Sequence, residues 1–165
     1  MKATFGAGCF WHVEELFRKT KGVKSTMVGY CGGRTESPTY EDVCMDTTGH
    51  AESVEIEFEP QEISYEELLK IFWNNHDPTT PNRQGPDIGT QYRSVVFYHT
   101  PEQQKIAMDM KSKLNLITKE KFQREIVTEI KPESEFYEAE SYHQQYLYLI
   151  HISRCRRRLR CRYRW

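Results

Sequence analysis

The sequence predicts an α+β fold: a single-domain two-layer sandwich of helices on a mixed or antiparallel sheet, with a ferredoxin-like core and an irregular C-terminal tail. Three observations support this. Strand-period and helix-period segments follow one another in the order β-α-β-β-α-β-α-β. Residues 51–59 alternate apolar and polar side chains without a break. Two helices announce their starts with capping residues.

Met1–Gly6 reads as a short strand running into the turn Gly6-Ala7-Gly8. A helix follows from about Phe10 to Lys19, with Val13, Leu16, Phe17 and Thr20 on one face, and Gly22 marks its end. Val23–Gly29 reads as a second strand, and a polar loop containing Pro38 runs from Gly32 to about Gly49. In 51–59, Val54, Ile56 and Phe58 share one face, and Ser53, Glu55, Glu57 and Glu59 the other, as in a half-buried strand. Ser64 caps the next helix, Glu67 completes a capping box, and Ile63 and Leu68 are spaced for a hydrophobic staple. That helix continues through Leu69 and Phe72 to about Asn75. Residues 76–91 form a long loop rich in Pro, Gly and Asn, a kind usually functional inside a compact domain. Val95–Tyr98 reads as a buried strand. Thr100-Pro101 opens a third helix with Ile106, Met110, Leu114 and Ile117 on one stripe. Gln123–Ile130 is the last predicted strand, followed by an irregular, Tyr-rich segment.

A chain of 165 residues suits one domain with a real core. No apolar run approaches the ~20 residues of a membrane helix. Met1–Gly6 leads straight into a motif, leaving no room for a secretory signal, so the expected location is cytoplasmic and reducing. The net charge of −1 hides a division: residues 154–165 hold seven Arg and no acid. Without those seven, 16 basic residues face 24 acids, a balance of about −8 for the rest. Charge alone does not choose between a tail that binds nucleic acid, one that folds onto the acidic body, and one that is solvated. The five cysteines (Cys9, Cys31, Cys44, Cys155 and Cys161) are odd in number and widely spaced, with no C-x-x-C pair. That pattern argues against structural zinc and for buried or catalytic thiols.

Cys9 lies at the turn between the first strand and first helix, where free amide N–H groups and the helix dipole favour thiolate. An inert, buried thiol fits the local pattern equally well. Glu52 shares parity with Val54, Ile56 and Phe58, so it points to the apolar face. A carboxyl there has a raised pKa and serves as a proton donor near neutrality, unless its head escapes to solvent at the strand end. Tyr40 and Tyr92 stand at the exits of the two long loops, Asp87 reads as a turn residue, and His50 and His143 are singly ambiguous.

Together these residues fall into longer motifs: Gly8-Cys9-Phe10-Trp11, Gly29-Tyr30-Cys31-Gly32-Gly33, Pro38-Thr39-Tyr40, Thr48-Gly49-His50-Ala51-Glu52, and His76-Asp77-Pro78-Thr79. Asn82-Arg83-Gln84-Gly85, Asp87, Gly89-Thr90-Gln91-Tyr92-Arg93-Ser94 and Tyr142-His143-Gln144-Gln145-Tyr146 follow. In this order they resemble the methionine sulfoxide reductase A family over roughly residues 1–147. The resemblance implies a catalytic domain over 1–147 and a tail, 148–165, with candidate recycling cysteines. It implies thiol-dependent reduction of the S epimer of methionine sulfoxide, free or in proteins, as a repair of oxidative damage. Cys9 would be the nucleophile that becomes a sulfenic acid, and Glu52 the proton donor. Tyr40 and Tyr92 would hydrogen-bond the sulfoxide oxygen. Phe10 and Trp11 would form the apolar wall for the methyl group, and Asp87 and His143 would shape the pocket and hold the substrate backbone. No metal or organic cofactor is implied; electrons come from thioredoxin or another dithiol.

The chain departs from the family at His12, where Gly is common, and in its tail, which lacks the usual Gly-rich run. Cys155 falls near the first expected recycling position and Cys161 could follow it, with Cys31 as a rival and Cys44 a lesser one. Surrounding Arg side chains would lower the tail thiols' pKa values and speed exchange. A nucleic-acid-associated module built on the Arg tail is the competing class. It leaves the motifs of 1–147 unexplained, as does a peroxidase, and nucleic acid and membrane are not expected partners.

Overall fold

The computed structural model describes residues 1–152. Cys155 and Cys161 lie outside the described residues. The elements are β1 (Lys2–Ala7), α1 (Phe10–Arg18), β2 (Val23–Cys31), α2 (Tyr40–Cys44), β3 (Ala51–Phe58) and α3 (Tyr65–Asn74), followed by two-residue strands β4 (Arg83–Gln84) and β5 (Asp87–Ile88). Then come β6 (Ser94–Tyr98), α4 (Pro101–Phe122), β7 (Glu129–Pro132) and β8 (Tyr137–Glu138). Residues 146–152 are helical. No helix among the described residues is long and apolar enough to cross a membrane.

The main sheet has the order β7-β6-β1-β3-β2-β8, and β4 and β5 make a separate hairpin. All neighbours in the main sheet are antiparallel except β6 and β7. The four central strands, with α1 and α3 between them in sequence, have the order of a split β-α-β-β-α-β unit, so the predicted ferredoxin-like core is present. β1 is central and therefore buried on both faces. Phe5 stacks on Phe17 of α1 at 5.4 Å and on Phe72 of α3 at 5.0 Å. Full burial of each such ring contributes roughly 1.5–3 kcal/mol. The opposite face carries a smaller apolar cluster of Cys31, Ala51, Val95 and Phe97, covered by Phe136.

Local signals explain most boundaries. Ser64 accepts the Glu67 N–H at 3.1 Å, which is one half of the expected capping box. Thr100 caps α4 by accepting the Gln103 N–H at 3.1 Å, with Pro101 at its first position. The α4 stripe is buried less deeply than expected: Ile106, Met110 and Leu114 pack on the core, but Ile117 stays 46% exposed. The polar loop 32–49 contains α2, whose start is a full capping box between Thr39 and Asp42. The predicted strand over 123–130 shrinks to Glu129–Pro132. Upstream of it, Gln123 takes a left-handed φ of 53°. The N–H groups of Ile126 and Val127 donate to the Asn115 side chain and the Pro78 carbonyl instead of to a strand ladder.

Candidate active site

β1 ends at Ala7, and Gly8 turns the chain with a φ of 94°. A Cβ on Gly8 would lie 2.7 Å from Gln84 Cγ, so the 76–91 loop packs directly against the backbone that presents Cys9. Gln84 is locked there by its own side chain, which accepts from Asp77 N and donates to Asp77 O, both at 2.8 Å. Cys9 is the N-cap residue of α1, and its carbonyl accepts the His12 N–H at 3.2 Å. The helix start favours thiolate, as expected, through the backbone N–H groups of Trp11 and His12. It does not prevail. Burial, with the charges of Glu52 and Asp87 behind it, pushes the Cys9 thiol up to about 11. In the substrate-free site Cys9 is therefore a thiol.

Glu52 lies on β3 opposite Tyr30 in the β2–β3 register and is 2% exposed. Its Oε1 accepts the Phe10 N–H at 3.4 Å, and its Oε2 is buried without a hydrogen-bond partner. Burial, and next the Asp87 charge, push this carboxyl up to about 8, against the opposing pull of the Phe10 N–H and the neighbouring Tyr92 hydroxyl. The strand parity that predicts a raised carboxyl is matched by the structure.

Tyr40 is the first residue of α2, and Tyr92 ends a 3-10 turn, Thr90–Tyr92. Both hydroxyls are held protonated, first by burial, with the Glu52 charge acting on each. Tyr92 also feels Cys9 and Asp87. The Tyr40 hydroxyl lies against the Cys44 thiol. The Tyr40 ring stacks on Phe10 at 6.4 Å and tilts over His143 at 4.4 Å. Asp87, half-buried at the start of β5, reaches Cys9, Glu52 and Tyr92 electrostatically.

An aromatic wall closes the other side. Trp11 stacks on Tyr146 at 4.0 Å and on His143 at 5.7 Å. Its indole N–H donates to His143 Nδ1 at 3.0 Å. Glu140 organises this wall and was not singled out by the sequence. Its Oε1 accepts the Tyr40 backbone N–H at 3.2 Å and the Tyr30 hydroxyl at 3.4 Å. Its Oε2 accepts the Tyr142 hydroxyl at 3.0 Å and stands 3.5 Å from His143 Nε2. Glu14 is a second unanticipated carboxylate. Buried in α1, it accepts the Gln145 N–H at 2.5 Å and the Thr26 hydroxyl at 2.9 Å, fixing where the C-terminal segment meets the wall. Its sequence signal was its place on the same α1 face as Phe10, Val13 and Phe17.

The fold thus gathers Cys9, Glu52, Tyr40, Tyr92, Asp87, Phe10, Trp11 and His143 around one site. It does not bring Cys31 there. Cys31 follows Tyr30 with opposite parity and packs in the cluster on the far sheet face, its sulfur 3.3 Å from Ser134 Oγ. The structure does not place Cys31 beside Cys9. His50 serves the scaffold: its Nδ1 accepts the Gly33 N–H at 3.0 Å and its Nε2 faces the Thr35 carbonyl at 2.7 Å. No group of three His, Cys, Asp or Glu side chains among the described residues is placed to hold a metal.

Residues 1–164 match the family model described as peptide methionine sulfoxide reductase. Over 146 residues the chain is 60% identical to the peptide methionine sulfoxide reductase MsrA of Methanothermobacter thermautotrophicus, spanning 88% of this chain and 85% of that protein. It is 58% identical over 145 residues to MsrA of Methanoculleus marisnigri, spanning 88% and 87%. Among solved structures it is similar to methionine sulfoxide reductase A of Corynebacterium diphtheriae, with a TM-score of 0.86 and 38% identity over 89% of this chain and 73% of that one. It is also similar to Mxr1 from Saccharomyces cerevisiae in complex with Trx2, with a TM-score of 0.60 and 27% identity over 88% and 84%. The chain belongs to the peptide methionine sulfoxide reductase family.

Proposed function

We propose that the chain reduces the S epimer of methionine sulfoxide to methionine, using Cys9 as nucleophile and Glu52 as acid. The observation that carries this reading is the buried Glu52 carboxyl, with one unpartnered oxygen and a pKa near 8, close to both Cys9 and Tyr92. A sulfoxide oxygen leaves poorly unless protonated, and a carboxyl that keeps its proton at neutral pH can supply one. The substrate's methyl group rests against Phe10 and Trp11, while the Tyr40 and Tyr92 hydroxyls and Glu52 face its oxygen. Asp87 and His143 line the approach of the substrate backbone. Three unlike surroundings for three sulfur substituents make the site stereoselective.

Protonation of the oxygen places positive charge on the substrate sulfur beside Cys9, which favours the thiolate at the moment of attack. Oxygen passes from the substrate sulfur to Cys9, leaving methionine and a Cys9 sulfenic acid; the sulfur of methionine is reduced and that of Cys9 oxidised. A second thiol then attacks the sulfenic acid, forming a disulfide and releasing water. Residues 1–147 carry the first step. The tail, 148–165, supplies Cys155 for the second, with exchange onto Cys161 and return of electrons from a thioredoxin dithiol. Mxr1 in complex with Trx2 supports that recycling partner. The cycle needs no resident cofactor and suits a reducing, cytoplasmic compartment. The Arg-rich tail serves thiol exchange in this reading, and no nucleic acid is required.

The test is single turnover on a racemic methionine sulfoxide peptide without added reductant, with free thiols counted and disulfides mapped by mass spectrometry. Loss of the S epimer alone and a Cys9–Cys155 bond are expected. Survival of both epimers would remove the activity, and a bond to another cysteine would remove the tail's role.

A further inference from the structure

The two hydroxyls that face the sulfoxide oxygen are carried by different loops, Tyr40 within 32–49 and Tyr92 just after 76–91. Asp46 joins these loops directly. Its Oδ1 accepts the Thr90 backbone N–H at 3.1 Å and also the Thr90 hydroxyl, while its own backbone N–H donates to Val43 O, in α2, at 3.0 Å. Thr90 opens the 3-10 turn that ends in Tyr92. Asp46 takes a left-handed φ of 57°, a conformation that glycine adopts without steric cost and that Asp tolerates better than most side chains. Glycine would make the same turn, so the turn does not account for Asp46; the carboxylate does.

We propose that Asp46 is a positioning residue: by gripping Thr90 at both its backbone and its hydroxyl, it sets the separation of the Tyr40 and Tyr92 hydroxyls across the sulfoxide site. This rests on the reading of those hydroxyls given above. Asp46 is exposed, so it contributes little to the core and its effect falls on geometry.

The experiment compares wild type, Asp46→Gly, Asp46→Asn and Thr90→Val on an S-sulfoxide peptide with a dithiol reductant, alongside thermal melting. Asp46→Gly removes the clasp while relieving the left-handed turn. Its kcat should fall roughly tenfold, with KM within about twofold and no loss of Tm, because small misplacements of reacting groups cost rate before binding. Asp46→Asn keeps the accepting oxygen and should retain most of the rate, whereas Thr90→Val removes only the hydroxyl half of the clasp and should fall between wild type and Asp46→Gly. Tyr40→Phe should cost clearly less in the Asp46→Gly background than in wild type, as coupled residues do. An active wild type with an unaltered Asp46→Gly rate, or a full additive cost of Tyr40→Phe, overturns the clasp alone. So does a lost rate that tracks a lowered Tm. A wild type inert towards both epimers overturns the reading of the site and the clasp with it.

Discussion

The indole N–H of Trp11 donates to Nδ1 of His143 at 3.0 Å, and that one bond determines which nitrogen of the imidazole carries hydrogen. An indole only donates, so Nδ1 accepts and the ring proton resides on Nε2, which lies 3.5 Å from Glu140 Oε2 and makes no hydrogen bond. Burial lowers the His143 pKa, more than Glu140 raises it, which keeps this neutral tautomer. Trp11→Phe should preserve an apolar wall yet release the imidazole. The expected result is loss of the Nε2–H tautomer preference in nitrogen NMR, with stability reduced by about 1 kcal/mol. An unchanged tautomer would show that Glu140, and not Trp11, orients the ring.

Glu52 should show opposite effects on stability and on rate. Its folded pKa, near 8, lies above the ordinary carboxyl value of 4.5, so the folded state holds the proton more tightly than the unfolded state. The stabilising contribution is fully present below pH 4.5 and is lost as pH rises towards 8. Glu52→Gln removes this cost and should stabilise the protein at pH 8 by up to roughly 4 kcal/mol. The same variant cannot give up a proton, so single-turnover reduction at neutral pH should slow by about 10²–10⁴-fold. A variant that keeps its rate would remove Glu52 from the acid's role, and a lowered Tm would contradict its burial as a neutral group.

Cys9 at about 11 predicts a free enzyme that alkylates slowly at neutral pH, with the rate climbing as pH approaches that value. Glu52→Gln should move the climb to lower pH, because one of the two carboxylates opposing the thiolate is gone. Cys9→Ser should abolish sulfoxide reduction. Iodoacetamide kinetics against pH, with the labelled residue identified by mass spectrometry, check wild type and Glu52→Gln, and a sulfoxide-reduction assay checks Cys9→Ser. A fast, pH-independent reaction at neutrality would show that the helix start prevails after all.

That last contest marks where sequence stops being legible. The alternation in 51–59, the caps at Ser64 and Thr100 and the place of Cys9 before a helix are local patterns, and each appears in the fold. Parity puts Glu52 on the apolar face, and the structure decides that its carboxyl stays buried there rather than escaping to solvent. The Cys9 pKa does not follow from local pattern, because the burial that opposes the helix start, and the Glu52 and Asp87 carboxylates behind it, come from elements far along the chain. Glu140 was hidden for the same reason: of its partners Tyr30, Tyr40, Tyr142 and His143, the first two lie on β2 and α2, far along the chain. The Thr39–Asp42 box that starts α2 was readable but sat inside a segment too polar to suggest a helix. The parallel pairing of β7 with β6 depends on Asn115 and Pro78 satisfying the preceding amides, which no periodicity records.

His76 gives the molecule a built-in acid sensitivity away from the reaction. Its Nδ1 faces the Phe72 carbonyl at 2.6 Å, and its Nε2 faces Ser94 Oγ at 2.7 Å. Ser94 in turn meets Thr128 Oγ1 at 2.7 Å, and that oxygen accepts the Trp73 indole N–H at 3.0 Å. Because Nδ1 donates to the Phe72 carbonyl, the neutral ring accepts at Nε2, so Ser94 donates to Nε2 and Thr128 to Ser94. A protonated ring would donate from Nε2 and set two donors against each other. Burial lowers the His76 pKa to about 4, from an ordinary 6.5. A folded pKa below the unfolded one contributes stability that is present above pH 6.5 and lost as pH falls towards 4. Denaturant unfolding should lose up to roughly 3 kcal/mol across that window from this group. Ser94→Ala removes the donor conflict and should flatten the dependence while lowering stability at pH 7. If wild type and Ser94→Ala show parallel pH profiles, the one-way hydrogen chain is not the cause.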